Sequence, residues 1–286
     1  MPEFLELIPP LKALEKLLTA LDYRMPLETI LSSDAGGRIT AACVIAPHPL
    51  PSFPRSTVDG YAVRAEDTHG SGESLPAYLS LIGEIPMGAP AEVTVGPGQC
   101  ALIHTGGMLP EGADAVIMVE FTQSVHEGEI EVLHPLAAGD NVLEVGEDIS
   151  TGSVVIPDGV KLRPAEIGGL MAIGKTSVDV AKKPLVGIIS SGDEVVAPAE
   201  DIDPGKVRDV NAYTLSALIE QAGGIPVRFG IVADTLEAMY KTCSQAISEN
   251  DLIVVTAGSS ASTRDLTADV INRLGEPGVM VHGVNV

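Results

Sequence analysis

Four acidic side chains in the last third of the chain stand just beyond short apolar runs. Asp193 and Glu194 follow "LVGIIS" in "SSGDEVV", Asp234 follows "PVRFGIV" in "IVADT", and Asp265 lies in "TAGSSASTRDLT", which follows "DLIVV". Carboxylates at neighbouring strand ends are hard oxygen donors, suited to a divalent cation that also takes phosphate oxygens. Gly192, Gly258, Ser259, Ser260 and Ser262 accompany them. Such small residues let backbone amides approach a phosphate closely at a helix start. The pattern therefore points to phosphate chemistry without a Walker lysine. Taken singly, each acid is more commonly a helix cap or a solvated loop residue, so the weight rests on their convergence. A fifth acid, Asp59 in "RSTVDGYAV", precedes a glycine, and Asp-Gly alone reads as a hairpin corner.

The elements that must position these residues follow from periodicity. From Leu185 onward the order is strand, helix, strand, helix, strand: "LVGIIS", "NAYTLSALIEQAGG" with an Asn cap and a Gly stop, "PVRFGIV", "LEAMYKTCSQAISEN" and "DLIVV". In an open parallel sheet of this kind the ligand sits outside the carboxyl ends of the strands, so loops beginning at Ser190, Ala233 and Thr256 should line one crevice. Upstream, Leu11, Leu14, Leu17, Leu18 and Leu21 recur at helical spacing. After them come Pro- and Gly-rich stretches with short apolar runs such as "AYLSLIGEI", "QCALIHTG" and "DAVIMVEF", the pattern of a β-rich module. A helix is expected after Pro164, and a last strand over 279–286.

Composition removes several function classes. The 39 acidic against 17 basic residues give a formal charge of -22, which repels nucleic acid at long range. With no Trp, 4 Phe and 5 Tyr there is little surface on which bases could stack. A small anionic substrate would need a cation between itself and these carboxylates. No apolar run approaches a membrane span, and "MPEFLELIPP" carries acid where a signal peptide needs base, so a soluble cytoplasmic protein is expected. Cys43, Cys100 and Cys243 have no metal-ligand spacing and are expected to be buried and reduced.

Six ordered stretches, "STVDGYAV", "HTGGMLPEGADAVIMVE", "VGEDISTG", "ISSGDEVV", "RDVNAYTLSALIEQAGG" and "DLIVVTAGSSASTRDLT", resemble the successive motifs of the MoeA family, the molybdopterin molybdenumtransferases related to the E domain of gephyrin. The resemblance runs from about residue 10 to the last residue. It implies a multidomain α/β protein with a β-rich module and a three-layer α/β molybdopterin-binding domain. The implied boundaries are a discontinuous helical and linker domain at 1–56 and 149–183, an inserted β-rich domain at 57–148, and the α/β domain at 184–286. The implied activity is insertion of molybdenum from molybdate into adenylylated molybdopterin, with Mg2+ and release of AMP. The implied assembly is a homodimer in which Asp59 serves the partner's cleft, with a molybdopterin adenylyltransferase as a further partner, and with neither nucleic acid nor membrane.

Carried over by motif, the catalytic set is Asp59, Thr105, Asp148 and Glu194, the metal ligands are Asp234 and Asp265, and Asp193 faces the pterin end of the crevice. The chain departs from the family pattern in three places. Leu143, Glu144 and Val145 stand before "GED" where an arginine is common. The loop "AGSSASTRD" replaces "GGVSVGD", putting Ala257 and Ser262 for glycines and offering Arg264 as a compensating guanidinium. The chain ends at "VMVHGVNV", with His282 where a lysine is common, and is expected to be shortened relative to the family. Two rivals stand beside this reading. A molybdopterin adenylyltransferase shares the α/β domain but lacks the upstream module; a binding or scaffold protein would hold molybdopterin without turnover.

Overall fold

The computed structural model describes residues 7–257 and 266–285. Among them are five α-helices: α1 Pro10–Ala20, α2 Pro164–Ala172, α3 Asn211–Ala222, α4 Leu236–Glu249 and α5 Leu266–Leu274. The chain divides into two compact units: Met1–Ala41 with Asp179–Val286, here the α/β unit, and Ala42–Val178, here the β unit.

The β unit is built on a six-stranded sheet in the order Ala115–Met118, Gly60–Val63, Gln99–Ile103, Ala77–Glu84, Glu129–Val132, Thr122–His126. Its apolar runs do not alternate with polar residues because both faces are covered. Side chains along a strand point alternately to opposite faces. Accordingly Val63, Cys100, Ala115 and Ile117 join one buried cluster, with Leu79, Ile130 and Val132. Their neighbours Ala62, Ala101 and Val116 join another, with Ile85 and Ile103. Asp59 is not the tip of a hairpin. The strand Arg55–Ser56 before it pairs with Val142–Leu143, while Gly60–Val63 after it pairs with two strands of the main sheet. The Asp-Gly step is the corner where the chain passes from one sheet to another.

In the α/β unit three parallel strands lie in the order Ile225–Val232, Leu185–Ser191, Leu252–Thr256. The central strand is buried along all but its first residue, which explains a run without polar alternation. Ile189 faces a cluster with Met239, Cys243 and Ala246 of α4 and Val270 of α5. Helix α3 packs against the central strand and Ile225–Val232. It stops at Gly223, whose φ of +100° is left-handed, as the expected Gly stop requires. Its cap differs from expectation: Asn211 is the first helical residue, and the carboxylate of Asp209 accepts the Ala212 amide instead.

One expected helix is confirmed, and two other expectations are corrected. The leucines of α1 are spaced as foreseen, yet none of its residues is buried, and Leu11 is 79% exposed. No strand forms over the described part of 279–286; Val284 makes only a single parallel bridge with Ile8. Cys100 and Cys243 are buried, but Cys43 is exposed. No helix among the described residues is long and apolar enough to cross a membrane.

The tightest steric demand is at Gly60, where a Cβ would stand 1.8 Å from the carbonyl oxygen of Ile117 on the neighbouring strand. A backbone oxygen within a paired strand cannot step aside as a flexible side chain could. Gly60→Ala should therefore destabilise the β unit by at least the roughly 3 kcal/mol typical of severe overpacking. Urea unfolding followed by far-ultraviolet circular dichroism measures this; an unchanged midpoint would contradict the close approach.

Candidate functional site

Two groups of the expected residues are assembled, one in each unit. In the β unit, three loops are held together by backbone hydrogen bonds. Ser56 donates to the Gly107 carbonyl and accepts from the Gly106 amide, and the Thr57 amide donates to Asn141. This brings the corner at Asp59 beside the turn at 104–107. The Thr105 amide donates to Asp59 Oδ1 at 2.8 Å, so two of the carried-over residues touch directly. That amide, which stabilises the ionised form, holds the Asp59 carboxyl below the usual carboxylate range despite partial desolvation. His104 lies between two acids, with Nε2 2.9 Å from Glu84 and Nδ1 3.7 Å from Asp59. Asp148, whose amide donates to the Leu50 carbonyl, faces the Arg55 guanidinium at 3.9 Å.

Arg55 is thus a cation beside the "GED" motif, where the sequence had seemed to lack one. It opens the "RSTVDGYAV" stretch, but only the pairing of its strand with Val142–Leu143 carries it across to Asp148. His104 and Glu84 were not assigned roles either, because their meeting depends on strand register across the main sheet.

In the α/β unit the site begins where the central strand ends. Ser190 and Ser191 are consecutive and point to opposite faces. Ser190 donates to Asp209 Oδ2 at 2.7 Å, on the side where Asp209 caps α3. Ser191 donates to Asp234 Oδ1 at 3.3 Å, before α4. Asp193 and Asp234 are neighbours too, the Asp234 amide lying 3.4 Å from Asp193 Oδ1. The turn between strand and acids needs Gly192: its φ of +144° disfavours a side chain, and a Cβ would meet the Glu194 carboxylate at 2.9 Å.

A cavity of about 170 Å³ opens beyond these strand ends, lined by Ser190, Ser191, Glu194, Asp209, Thr256 and the start of α3. The expected loops at Ser190 and Thr256 border it; the one at Ala233 does not, although Asp234 is tied to it through Ser191. Gly258, Ser259, Ser260, Ser262, Arg264 and Asp265 lie outside the described residues. The cavity residue that sequence reasoning missed is Asp209. It stood in plain view in "RDVNAYTL", but the cap was ascribed to Asn211 two positions on.

Among the described residues no group of three or more His, Cys, Asp or Glu side chains is gathered tightly enough to enclose a metal ion. The donors present are nonetheless of the right kind for Mg2+, which takes one or two carboxylates and fills its remaining positions with water and phosphate oxygens. Asp234, with Asp193 beside it, offers such hard oxygen donors at a strand end.

An open parallel sheet with helices on it and a polar cavity outside its carboxyl ends defines an α/β ligand-binding protein, here carrying a β-rich unit within the same chain. Residues 8–174 match the family described as "MoeA N-terminal region (domain I and II)", and residues 187–286 match a "Probable molybdopterin binding domain". The chain belongs to the MoeA family. It is 35% identical over 251 residues to a molybdopterin molybdenumtransferase of Bacillus subtilis, covering 87% of this chain and 58% of that protein. A namesake from Nostoc is 35% identical over 259 residues, covering 91% and 59%. The crystal structure of a molybdopterin biosynthesis MoeA protein from Pyrococcus horikoshii superposes with a TM-score of 0.81 at 36% identity, covering 98% of this chain and 69% of that one. The chain spans about three fifths of the two transferases.

The Asp59 geometry makes a titration prediction. Its folded pKa is lowered, so its contribution to stability is present above the unfolded value and is lost as pH falls through the folded one. Carbon-detected NMR should find the Asp59 carboxyl titrating below an ordinary aspartate. A value at or above the ordinary one would mean that the Thr105 amide does not donate to it in solution.

Proposed function

We propose that this chain carries out the molybdenum-insertion step of molybdenum cofactor biosynthesis: adenylylated molybdopterin and molybdate enter, molybdenum is placed at the dithiolene, and AMP leaves. The observation that carries the reading is the cavity outside the sheet of a MoeA family member, lined by Glu194 and Asp209, with Asp234 joined to its wall through Ser191 and Asp193 beside Asp234. The whole relatives' names supply the reaction class, and the residues of this chain supply its division of labour.

In this reading Glu194 and Asp193 face the pterin end of the cavity, and Asp234 with Asp265 would hold Mg2+. When bound, the ion supplies neutralisation of charge at the phosphates. Glycine and serine amides of the 258–262 loop, with Arg264, receive the phosphates. Asp59 serves the partner's cleft and Thr105 and Asp148 take the molybdate or the pyrophosphate, with the Arg55 guanidinium beside Asp148 offsetting the acidic charge toward an incoming oxyanion. A homodimer is the proposed working form, located in the cytoplasm, with a molybdopterin adenylyltransferase as the proposed supplier of substrate.

The test is AMP release by this chain from adenylylated molybdopterin, on adding molybdate and Mg2+. Turnover is expected, and Asp234→Asn should lower it by at least about a hundredfold, the scale of losing one preorganised charged group. Tight binding of the pterin without AMP release would assign the chain to the binding-platform reading. An unaltered rate in Asp234→Asn would remove that carboxylate from the metal site.

A further inference from the structure

The α/β cavity has a polarity that follows from counting where its hydroxyl hydrogens go. An ionised carboxylate only accepts hydrogen bonds. Ser190 lies 2.7 Å from Asp209 Oδ2, so its hydrogen is directed at Asp209. Thr256 Oγ1 is 3.4 Å from Ser190 Oγ, whose hydrogen is already committed; in that contact Thr256 must donate and Ser190 accept. Ser191 faces Asp234 Oδ1 at 3.3 Å and again donates. All three hydroxyls lining the strand tips thus spend their hydrogens on the protein and leave lone pairs available. The Glu194 carboxylate adds further acceptors. Arg208, which also lines the cavity, commits its Nε hydrogen and one Nη2 hydrogen to the carbonyls of Pro198 and Glu200 and keeps its other three N–H donors. At the start of α3 the Asn211 amide can serve in either sense.

We infer that Asp209 is a specificity-determining residue of this cavity: by fixing the hydroxyl of Ser190, and through it that of Thr256, it makes the strand-tip wall an acceptor surface that selects a ligand edge rich in N–H donors. Asp209 is 8% exposed and does not need to touch the ligand to do this. It acts through Ser190 and holds the α3 start in place with its other oxygen, which accepts the Ala212 amide at 3.1 Å. The cavity of about 170 Å³ has room for some five or six waters at about 30 Å³ each, or one small ring system in their place. The inference rests on the molybdopterin reading above and deepens it. It assigns the donor-bearing edge of the pterin, its ring amide and exocyclic amine, to the wall formed by Ser190 and Thr256.

Asp209→Asn separates the two duties of the residue. Its remaining oxygen can still accept the Ala212 amide, and asparagine is as good a cap as aspartate. Its amide nitrogen, however, would now donate to Ser190 and turn that hydroxyl's hydrogen outward. The wall would change from acceptor to donor while the helix start stayed capped. Ser190→Ala, which deletes the hydroxyl and leaves Asp209 in place, is the companion variant.

The experiment compares two probes by fluorescence titration and calorimetry on the intact chain: pterin, and 1,3-dimethyllumazine, a pteridine of the same two-ring frame with no N–H. The wild-type chain should prefer pterin by about tenfold, the worth of one hydrogen bond at the upper end of its usual net range. Asp209→Asn should abolish the preference while its melting temperature stays within a few degrees of wild type. Ser190→Ala should reduce it. Equal binding of the two probes by wild type, or an undiminished preference in a folded Asp209→Asn, overturns the inference and leaves the molybdopterin reading standing. Binding of neither probe overturns both.

Discussion

Burial of the strand Leu185–Ser191 on both faces is the constraint from which the α/β site follows. Because the strand has helix on either side, its consecutive residues must serve opposite surfaces up to the last turn of the pleat. Apolar side chains meet that demand along most of its length. At the tip, where the sheet opens, two serines meet it, one turned toward the start of α3 and one toward the start of α4. A hydroxyl is small enough for the packed strand and polar enough for the cavity. The carboxylates that receive these hydroxyls are then fixed without long, flexible side chains having to find one another.

The β unit solves a related problem by other means. At its acidic corner Asp59 is exposed and is held by geometry of the main chain. The close approach of Gly60 to Ile117 pins one side of the corner, and the amide of Thr105 pins the carboxylate itself. An exposed acid so restrained loses little further freedom when an ion or a second molecule arrives. The neighbouring Arg55 guanidinium, facing Asp148, tempers a local excess of negative charge in a chain that carries 39 acidic residues.

Much of this was legible from local signals. The parallel strands and their helices were written in apolar runs of strand length and in a Gly stop, and the acids at the strand ends could be picked out residue by residue. Legibility failed where pairing decides the outcome. Arg55 reaches Asp148 only through a two-residue ladder with Val142–Leu143, for which no local pattern exists. Asp209 had no local signal of its own, since nothing in the sequence marks a carboxylate that both caps a helix and grips a serine nineteen residues earlier. The exposed leucines of α1 show the reverse case. Their spacing gives the helix correctly but cannot state that no residue of it is buried.

The bond between the Ala41 amide and the Asp179 carbonyl, and that between the Ala181 amide and the Ile39 carbonyl, have a bearing on how the chain is made. They place the two points where the polypeptide leaves and re-enters the α/β unit side by side, so that everything from Ala42 to Val178 is one long excursion from a single seam. On a ribosome the first 41 residues emerge long before the strands that complete their unit. The excursion is finished first and can bury both faces of its sheet by itself, as domains generally fold in order of synthesis. Its folding then closes the loop and delivers the late segment to its early partner, which turns a distant encounter within the chain into a local one.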